Sequence, residues 1–142
     1  MSKQLKVWFL VVTVMVFAAG LYAAGPVSAA PPDKVRIGLM FGLTGAASPI
    51  GPVQLDGAKL AIKEVNAAGG VNFGGKKVPI EFFVKDDESK PDVAIRRFRE
   101  FVDENKVHAL VGQTFAPISA ALNKEVKKTP MAYFPVNVVA IN

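Results

Sequence analysis

The side chains with catalytic potential are few, and none has a partner at a useful spacing. His108 is the only histidine, and the chain contains no cysteine. Because no second histidine or cysteine can complete a metal site or a nucleophile pair, a structural role is favoured for His108. Ser48, Ser89 and Ser119 also have no basic partner. The sequence therefore predicts a protein that is not an enzyme.

Two adjacent aspartates, Asp86 and Asp87, follow a predicted strand, where they could imitate a ribose-binding acid or a metal pair. The glycines of the first turn, Gly42, Gly45 and Gly51, do not have the G-x-G-x-x-G spacing, and no phosphate-loop pattern occurs. Loop solvation or hydrogen bonding to nearby N–H groups is therefore the favoured role of the two aspartates. We predict no cofactor and no metal.

A ligand site is predicted instead at two turns rich in small residues. These are "GLTGAASPIGP" (42–52) and "GQTFAP" (112–117), and each leads from a predicted strand into a predicted helix. Small residues let a ligand approach the backbone, and a helix N-terminus favours negative charge by about 0.3–1 kcal/mol. The alternative is that both are simply tight strand-to-helix turns.

The elements that would position these turns alternate regularly. Apolar runs predict strands at 35–41, 78–84, 107–112 and 130–135, and helical periodicity predicts helices at 51–68, 89–105 and 117–127. Short connections and right-handed crossovers then predict an α/β three-layer sandwich with a parallel sheet. In the flavodoxin-like order 2-1-3-4, the two turns flank the point between the first and third strands, where ligands bind in such sheets.

Two details of the helices are also predicted. Ser89 with Asp92 three residues later resembles a capping box at the start of the second helix. The first helix should bury a stripe at three- and four-residue spacing. Its members are Leu55, Ala58, Ala61, Ile62 and Val65.

The N-terminus has the layout of a cleavable secretory signal. Lys3 and Lys6 precede an apolar run over 7–24, and small residues end at Ala29. We predict a signal peptide at 1–29 and one exported domain at 30–142. An uncleaved membrane anchor is the alternative, because about 18 apolar residues can span a bilayer. Without cysteine, lipid attachment is excluded.

The formal charge of +5 does not indicate nucleic-acid binding. The signal segment contributes two of the lysines, so the remainder is only weakly basic. "RRFRE" (96–100) is the one dense basic spot, and on a helix it is more typical of a solvated face than of a nucleic-acid interface. No nucleic-acid partner is predicted.

Three stretches carry a family resemblance. They are "KVRIGLMFGLTGAASPIGPVQLDGAKLAIKEVNAAGGV", "VKDDESKPDVAIRRFREFV" and "VHALVGQTFAPISAALNKEV". Over residues 34–137 the chain resembles the N-terminal lobe of substrate-binding proteins of branched-chain amino acid ABC transporters, which are type I periplasmic binding proteins. The resemblance implies two lobes joined by a hinge, with a small ligand clamped between them and delivered to a membrane permease. It also implies a periplasmic or extracellular location, with membrane contact only through the signal segment or the permease.

Some residues depart from the family pattern. Phe115-Ala116 stand where the family usually has consecutive serines that receive an amino acid carboxylate, and Ile50 replaces an aromatic residue. The expected ligand is therefore an amino acid or a related small, partly apolar carboxylate or amide. Hydrogen bonds are expected from Thr44, Thr114 and Asn137, apolar contact from Ile50 and Phe115, and a backbone N–H from Ala116.

The chain is also shorter than the family, and the resemblance is to an incomplete first lobe. We therefore expect the chain alone to bind ligand weakly or not at all, and "MAYF" (131–134) to form an exposed apolar edge. Two other functions stay open at this point. One is a ligand-sensing domain of the same fold that feeds a receptor, and the other is a nucleotide-dependent α/β enzyme.

Overall fold

The computed structural model describes residues 31–137 of the 142-residue chain. The predicted signal peptide and its membrane-anchor alternative fall on residues outside this range. Within it, every helix is too short or too polar to cross a bilayer.

The predicted strands and helices occur in the predicted order, with two additional short strands after the first helix. The strands are β1 Val35–Phe41, β2 Val71–Phe73, β3 Lys76–Val78, β4 Ile80–Asp86, β5 Ala109–Gly112 and β6 Ala132–Pro135. The helices are α1 Gly51–Ala67, α2 Pro91–Glu100 and α3 Ala116–Val126. A short 3₁₀ turn occupies Gly45–Ala47, and a π-helical turn, Phe101–Asn105, extends α2.

The main sheet has four parallel strands in the order β4-β1-β5-β6. This is the predicted 2-1-3-4 arrangement, since β4, β5 and β6 are the second, third and fourth strands of the sequence prediction. In register, Ile37 lies between Phe82 of β4 and Ala109 of β5. The prediction of a parallel α/β sheet is therefore confirmed.

A second, two-stranded sheet was not predicted. β2 and β3 form an antiparallel hairpin in which Val71 pairs with Val78. Its turn contains Gly74 and Gly75, both at positive φ, and the side chain of Asn72 accepts the Gly75 N–H at 2.9 Å. The predicted strand at 78–84 was therefore wrong by two residues, because Val78 belongs to the hairpin and β4 begins only after Pro79.

Helices cover both faces of the main sheet, so the three-layer prediction is confirmed. The face under α2 and α3 has a core of Met40, Ala94, Phe98, Phe101, Val107, Leu110, Ile118 and Leu122. The face under α1 has a smaller buried core of Leu39, Phe41, Leu55 and Ile62.

The stripe predicted on α1 is only partly correct. Leu55 and Ile62 are buried and Ala58 is half-buried against them, but Ala61 and Val65 are exposed. Within residues 31–137, α1 is the only α-helix on this face of a four-stranded sheet. Its flanks consequently have nothing to pack against there.

The capping box at α2 is wrong. The residue that precedes the helix is Lys90, which has an extended backbone and no side-chain cap. Ser89 lies one residue earlier at φ 59°, and its hydroxyl bonds to another loop, as described below.

The apolar edge expected at "MAYF" is confirmed. Within residues 31–137, β6 has β5 as its only hydrogen-bonded neighbour. Phe134 is 57% exposed and Val136, just beyond the strand, is 40% exposed.

Candidate functional site

The connections after β1 and β5 leave one rim of the sheet toward opposite faces. Met40 of β1 pairs with Gly112 of β5, so the two strands end side by side. β1 continues to α1 on one face, and β5 continues to α3 on the other. This is the switch point at which open parallel sheets form ligand clefts. The two turns predicted to flank a ligand do meet there; we call them the first loop (42–50) and the third loop (112–116).

The third loop turns sharply as β5 ends. Gly112 has φ +135°, and a Cβ at this position would overlap the carbonyl oxygen of Met40. The next residue, Gln113, has φ 62° and donates its N–H to the same carbonyl at 2.7 Å. Only glycine fits the first of these positions without displacing β1.

A buried side-chain hydrogen bond fastens the third loop to α1. Thr114 is completely buried, and its hydroxyl donates to Oε1 of Gln54 at 2.8 Å. The Nε2 group of Gln54 in turn donates to the Val136 carbonyl at 3.4 Å. The amide of Gln54 thus links α1, the third loop and the segment after β6.

The third loop ends at the N-terminus of α3. Phe115 is the N-cap residue, and its carbonyl accepts the N–H groups of Ile118 and Ser119. Its half-buried ring packs against the core under α2 and α3. Ser119 is buried and donates its hydroxyl to Oδ1 of Asn137 at 2.6 Å, which holds this exposed asparagine beside α3.

The first loop is held by the carboxylate of Asp86, the last residue of β4. Oδ1 of Asp86 accepts the N–H groups of Leu43 at 2.9 Å and Thr44 at 3.3 Å, together with that of Glu88 at 2.8 Å. Oδ2 accepts the hydroxyl of Thr44 at 2.6 Å. The carboxylate of Asp86 therefore fixes both the backbone and the side chain of Thr44.

Ser89 makes a second link between the same two segments. Its hydroxyl donates to the Thr44 carbonyl at 2.8 Å and accepts the Ala47 N–H at 2.9 Å. Beyond the 3₁₀ turn, the first loop ends at Ile50, which precedes α1 and is 38% exposed.

The pKa values of the two neighbouring aspartates are shifted in opposite directions. Burial is the largest influence on Asp86 and raises its pKa, but the hydrogen bonds from Thr44, Glu88 and Leu43 together hold the pKa below its usual value. Asp87 is completely buried. Burial raises its pKa, the charge of Asp86 adds to that rise, and the N–H of Ser89 only partly offsets it. The hydrogen bonding to N–H groups that the sequence favoured for this pair is confirmed.

The opposite rim of the sheet carries a charged cavity of about 410 Å³ around Lys34, Arg36, Glu81 and His108. Nζ of Lys34 and Nε of Arg36 lie 3.0 and 3.3 Å from the Glu81 carboxylate, so the two cations share one anion. Nδ1 of His108 accepts the Arg36 N–H at 3.0 Å. We assign this cavity no ligand role, and the bond from His108 fits the structural role predicted for it.

The predicted site residues therefore divide into two groups. The first group lies on the two loops at one rim of the sheet and consists of Thr44, Ile50, Thr114, Phe115 and Ala116. The second is Asn137 alone, which is hydrogen-bonded to Ser119 of α3. Thr44 and Thr114 donate their hydroxyl protons within the chain. Sequence reasoning missed Gln54 as the partner of Thr114, gave Ser89 a different role, and favoured hydrogen bonding for Asp86 without identifying Thr44 as its partner. No grouping of three histidine or acidic side chains suited to a metal occurs within residues 31–137.

Comparison with known proteins gives a consistent set of similarities. Residues 34–140 match the family model described as "Periplasmic binding protein". The leucine-specific-binding protein of Salmonella typhimurium is 29% identical over 86 residues, which is 61% of this chain and 22% of that protein.

Solved structures agree with this similarity. The substrate-binding protein of the branched-chain amino acid transporter from Streptococcus pneumoniae, in complex with isoleucine, has a TM-score of 0.66 and 30% identity over 75% of this chain and 30% of that one. A solute-binding protein of an ABC transporter from Rhodopseudomonas palustris, in complex with 3,4-dihydroxybenzoic acid, has a TM-score of 0.61 and 26% identity over 78% of this chain and 29% of that one. The chain thus spans less than a third of the length of these relatives.

Proposed function

The chain belongs to the periplasmic binding protein family, and on that premise we propose that it forms part of the ligand-binding lobe of an extracytoplasmic solute-binding protein that serves an ABC importer. In this role it binds a small molecule without converting it and contributes to delivering it to a membrane permease. The observation that best supports this proposal is that the first and third loops lie side by side where β1 and β5 end.

We further propose that the ligand is an amino acid or a related small, partly apolar carboxylate or amide. Its negative end would meet the backbone N–H of Ala116 at the N-terminus of α3, where the helix dipole favours an anion. Its apolar part would contact Ile50 and Phe115. Isoleucine and 3,4-dihydroxybenzoic acid, the molecules bound by two similar proteins, both combine a carboxylate with an apolar body.

The polar side chains of Thr44, Thr114 and Asn137 have different roles in this proposal. Thr44 is exposed, and although its proton goes to Asp86, its oxygen can still accept a hydrogen bond from a ligand amino group. Thr114 is completely buried, so it supports the third loop through Gln54. Asn137 is exposed at the same rim and supplies a polar contact beside α3.

A titration monitored residue by residue tests the proposal. A micromolar ligand requires about 8 kcal/mol of binding free energy. A single lobe contacts one side of a ligand, so we expect dissociation constants in about the millimolar range. L-Isoleucine and 3,4-dihydroxybenzoate should shift the amide NMR signals of Ala116 and Thr44, whereas AMP should not. Shifts with AMP alone would favour a nucleotide-binding role and contradict the proposal.

A further inference from the structure

We infer that the turn at the end of β4, Asp86–Ser89, sets the conformation of the first loop, and that Asp86 is a positioning residue for ligand binding. This inference rests on the proposed function, because it concerns the loop that would face the ligand. The turn would shape the loop without contacting the ligand.

In most hydrogen bonds between the first loop and the turn, the first loop donates and the turn accepts. Asp86 supplies three acceptor contacts to the first loop, two to N–H groups and one to the hydroxyl of Thr44. Among the described residues no backbone carbonyl accepts the Thr44 N–H, so without Asp86 it would depend on water, and Leu43 would keep only its short-range bond to the Phe41 carbonyl at 3.0 Å. Charged acceptors form stronger hydrogen bonds than neutral ones. Asp86 thus holds Leu43 and Thr44 in one arrangement.

The turn has two residues in the left-handed backbone conformation, which is consistent with a role in positioning the first loop. Glu88 and Ser89 are consecutive non-glycine residues with φ 53° and 59°. Left-handed conformations of this kind persist where surrounding contacts over-determine them. Here they direct the Ser89 hydroxyl to the Thr44 carbonyl and the Ala47 N–H.

Close packing supports the same conclusion. A Cβ on Gly45 would lie 2.6 Å from the Glu88 carbonyl oxygen, and a Cβ on Gly42 would lie 3.0 Å from the Ser89 hydroxyl. The first loop therefore rests directly on the turn. A loop that is ordered before the ligand arrives loses less entropy on binding, which raises affinity without a new contact.

Amide hydrogen exchange and ligand titration of the full chain test this inference. The key variant is Asp86→Asn, which removes charge and acceptor capacity at nearly constant shape. Asp56→Asn, at an exposed position of α1, makes the same charge change and is the matched control. Exchange is followed at Leu43 and Thr44, and at Leu110 in β5 as an internal reference.

Loss of the carboxylate should raise the exchange rates of Leu43 and Thr44 about tenfold or more, while Leu110 changes less than about twofold. The control should resemble the wild type. Equal exchange at Leu43 and Thr44 in wild type and Asp86→Asn would overturn the inference, and so would a uniform rise at all three positions.

If Asp86→Asn does not fold, Thr44→Val and Thr44→Ser carry the test. Serine keeps the hydroxyl that bonds to Asp86, so only the valine variant should speed exchange at Thr44. Equal rates in the two variants would overturn the inference.

The titration separates positioning from stability. With L-isoleucine and 3,4-dihydroxybenzoate as probes, Asp86→Asn should weaken binding about tenfold, whereas the control Asp56→Asn should stay within about twofold of the wild type. Unchanged probe affinity in Asp86→Asn would overturn the positioning role. Binding of neither probe by the wild type is the result expected if a partial lobe holds no ligand, and the exchange rates then decide whether the turn controls the first loop.

Discussion

The two loops at the candidate site are held in place by different means. The first loop depends on side chains from a neighbouring turn, mainly the carboxylate of Asp86 and the hydroxyl of Ser89. The third loop depends on the backbone conformation of Gly112 and on the buried bond between Thr114 and Gln54. One attachment is charged and partly exposed to solvent, and the other is neutral and buried.

This difference implies different sensitivities. Acid should affect the first loop, because its attachment includes an ionised carboxylate. Changes of volume should affect the third loop, because it lies within the packed interior where there is little room for adjustment. Five substitutions test the contrast, in order of decreasing expected effect.

The largest effect is expected from Gly112→Ala in the third loop. Its Cβ would overlap the Met40 carbonyl, and alanine disfavours φ +135°. We expect a loss of about 3 kcal/mol or more in the free energy of unfolding, measured by urea denaturation. The control is Gly57→Ala on α1, where a Cβ meets open space, and it should gain about 0.5–1 kcal/mol. Equal stabilities of the two variants would contradict the assignment of Gly112.

Asp86→Asn should give the next largest effect and should depend on pH. Because the pKa of Asp86 is lowered in the folded chain, its stabilisation is complete above the usual aspartate pKa and is lost as pH falls through the folded value. We expect a cost of about 1–2 kcal/mol at pH 7, allowing for solvent exposure. Urea denaturation at pH 7 and pH 3 should show this cost shrinking in acid. An undiminished cost at pH 3 would argue against the carboxylate attachment.

Thr114→Val should cost about 1 kcal/mol, because it removes the hydroxyl of the completely buried Thr114 and leaves Oε1 of the half-buried Gln54 without its donor. The isosteric change Thr44→Val should cost about half as much or less, since water can replace a hydroxyl at an exposed position. Thermal unfolding of both variants measures the difference. If Thr44→Val proved the costlier of the two, the division into a buried and an exposed attachment would be wrong.

Asp87→Asn is expected to have the smallest effect, and of the opposite sign. The pKa of Asp87 is raised mainly by burial, so its charge opposes folding above the raised value and ceases to do so once the group is protonated. Asparagine keeps an oxygen for the Ser89 N–H. We expect a gain of less than about 1 kcal/mol at pH 7 that disappears in acid. A loss comparable with that of Asp86→Asn would show that the two aspartates act alike.

The main sheet and the placement of the two loops could be predicted from the sequence. The runs at β1 and β5 are apolar except for Arg36 because both faces of the sheet are covered, and short connections leave few possible topologies. The two loops then had to meet at one rim. The family resemblance over residues 34–137 also agrees with the matched range of 34–140.

Other features depend on contacts that a linear pattern does not contain. The β2–β3 hairpin is short and lysine-rich, so it has no apolar alternation to reveal it. Ser89 fits a capping pattern equally well, and only the approach of the first loop shows where its hydroxyl bonds. Likewise, Ala61 and Val65 have helical spacing but no neighbouring element to cover them among the described residues.

The two outer strands of the described sheet predict how a polypeptide limited to residues 31–137 would behave at high concentration. Within residues 31–137 the sheet has two outer strands, β4 and β6, which are parallel. A neighbouring molecule that placed its β4 beside β6 would extend the sheet in the same direction, and its own β6 would then be available for the next molecule. Such head-to-tail growth does not close on itself, so the expected product is a filament and not a dimer. The exposed ring of Phe134 would add apolar contact at each junction.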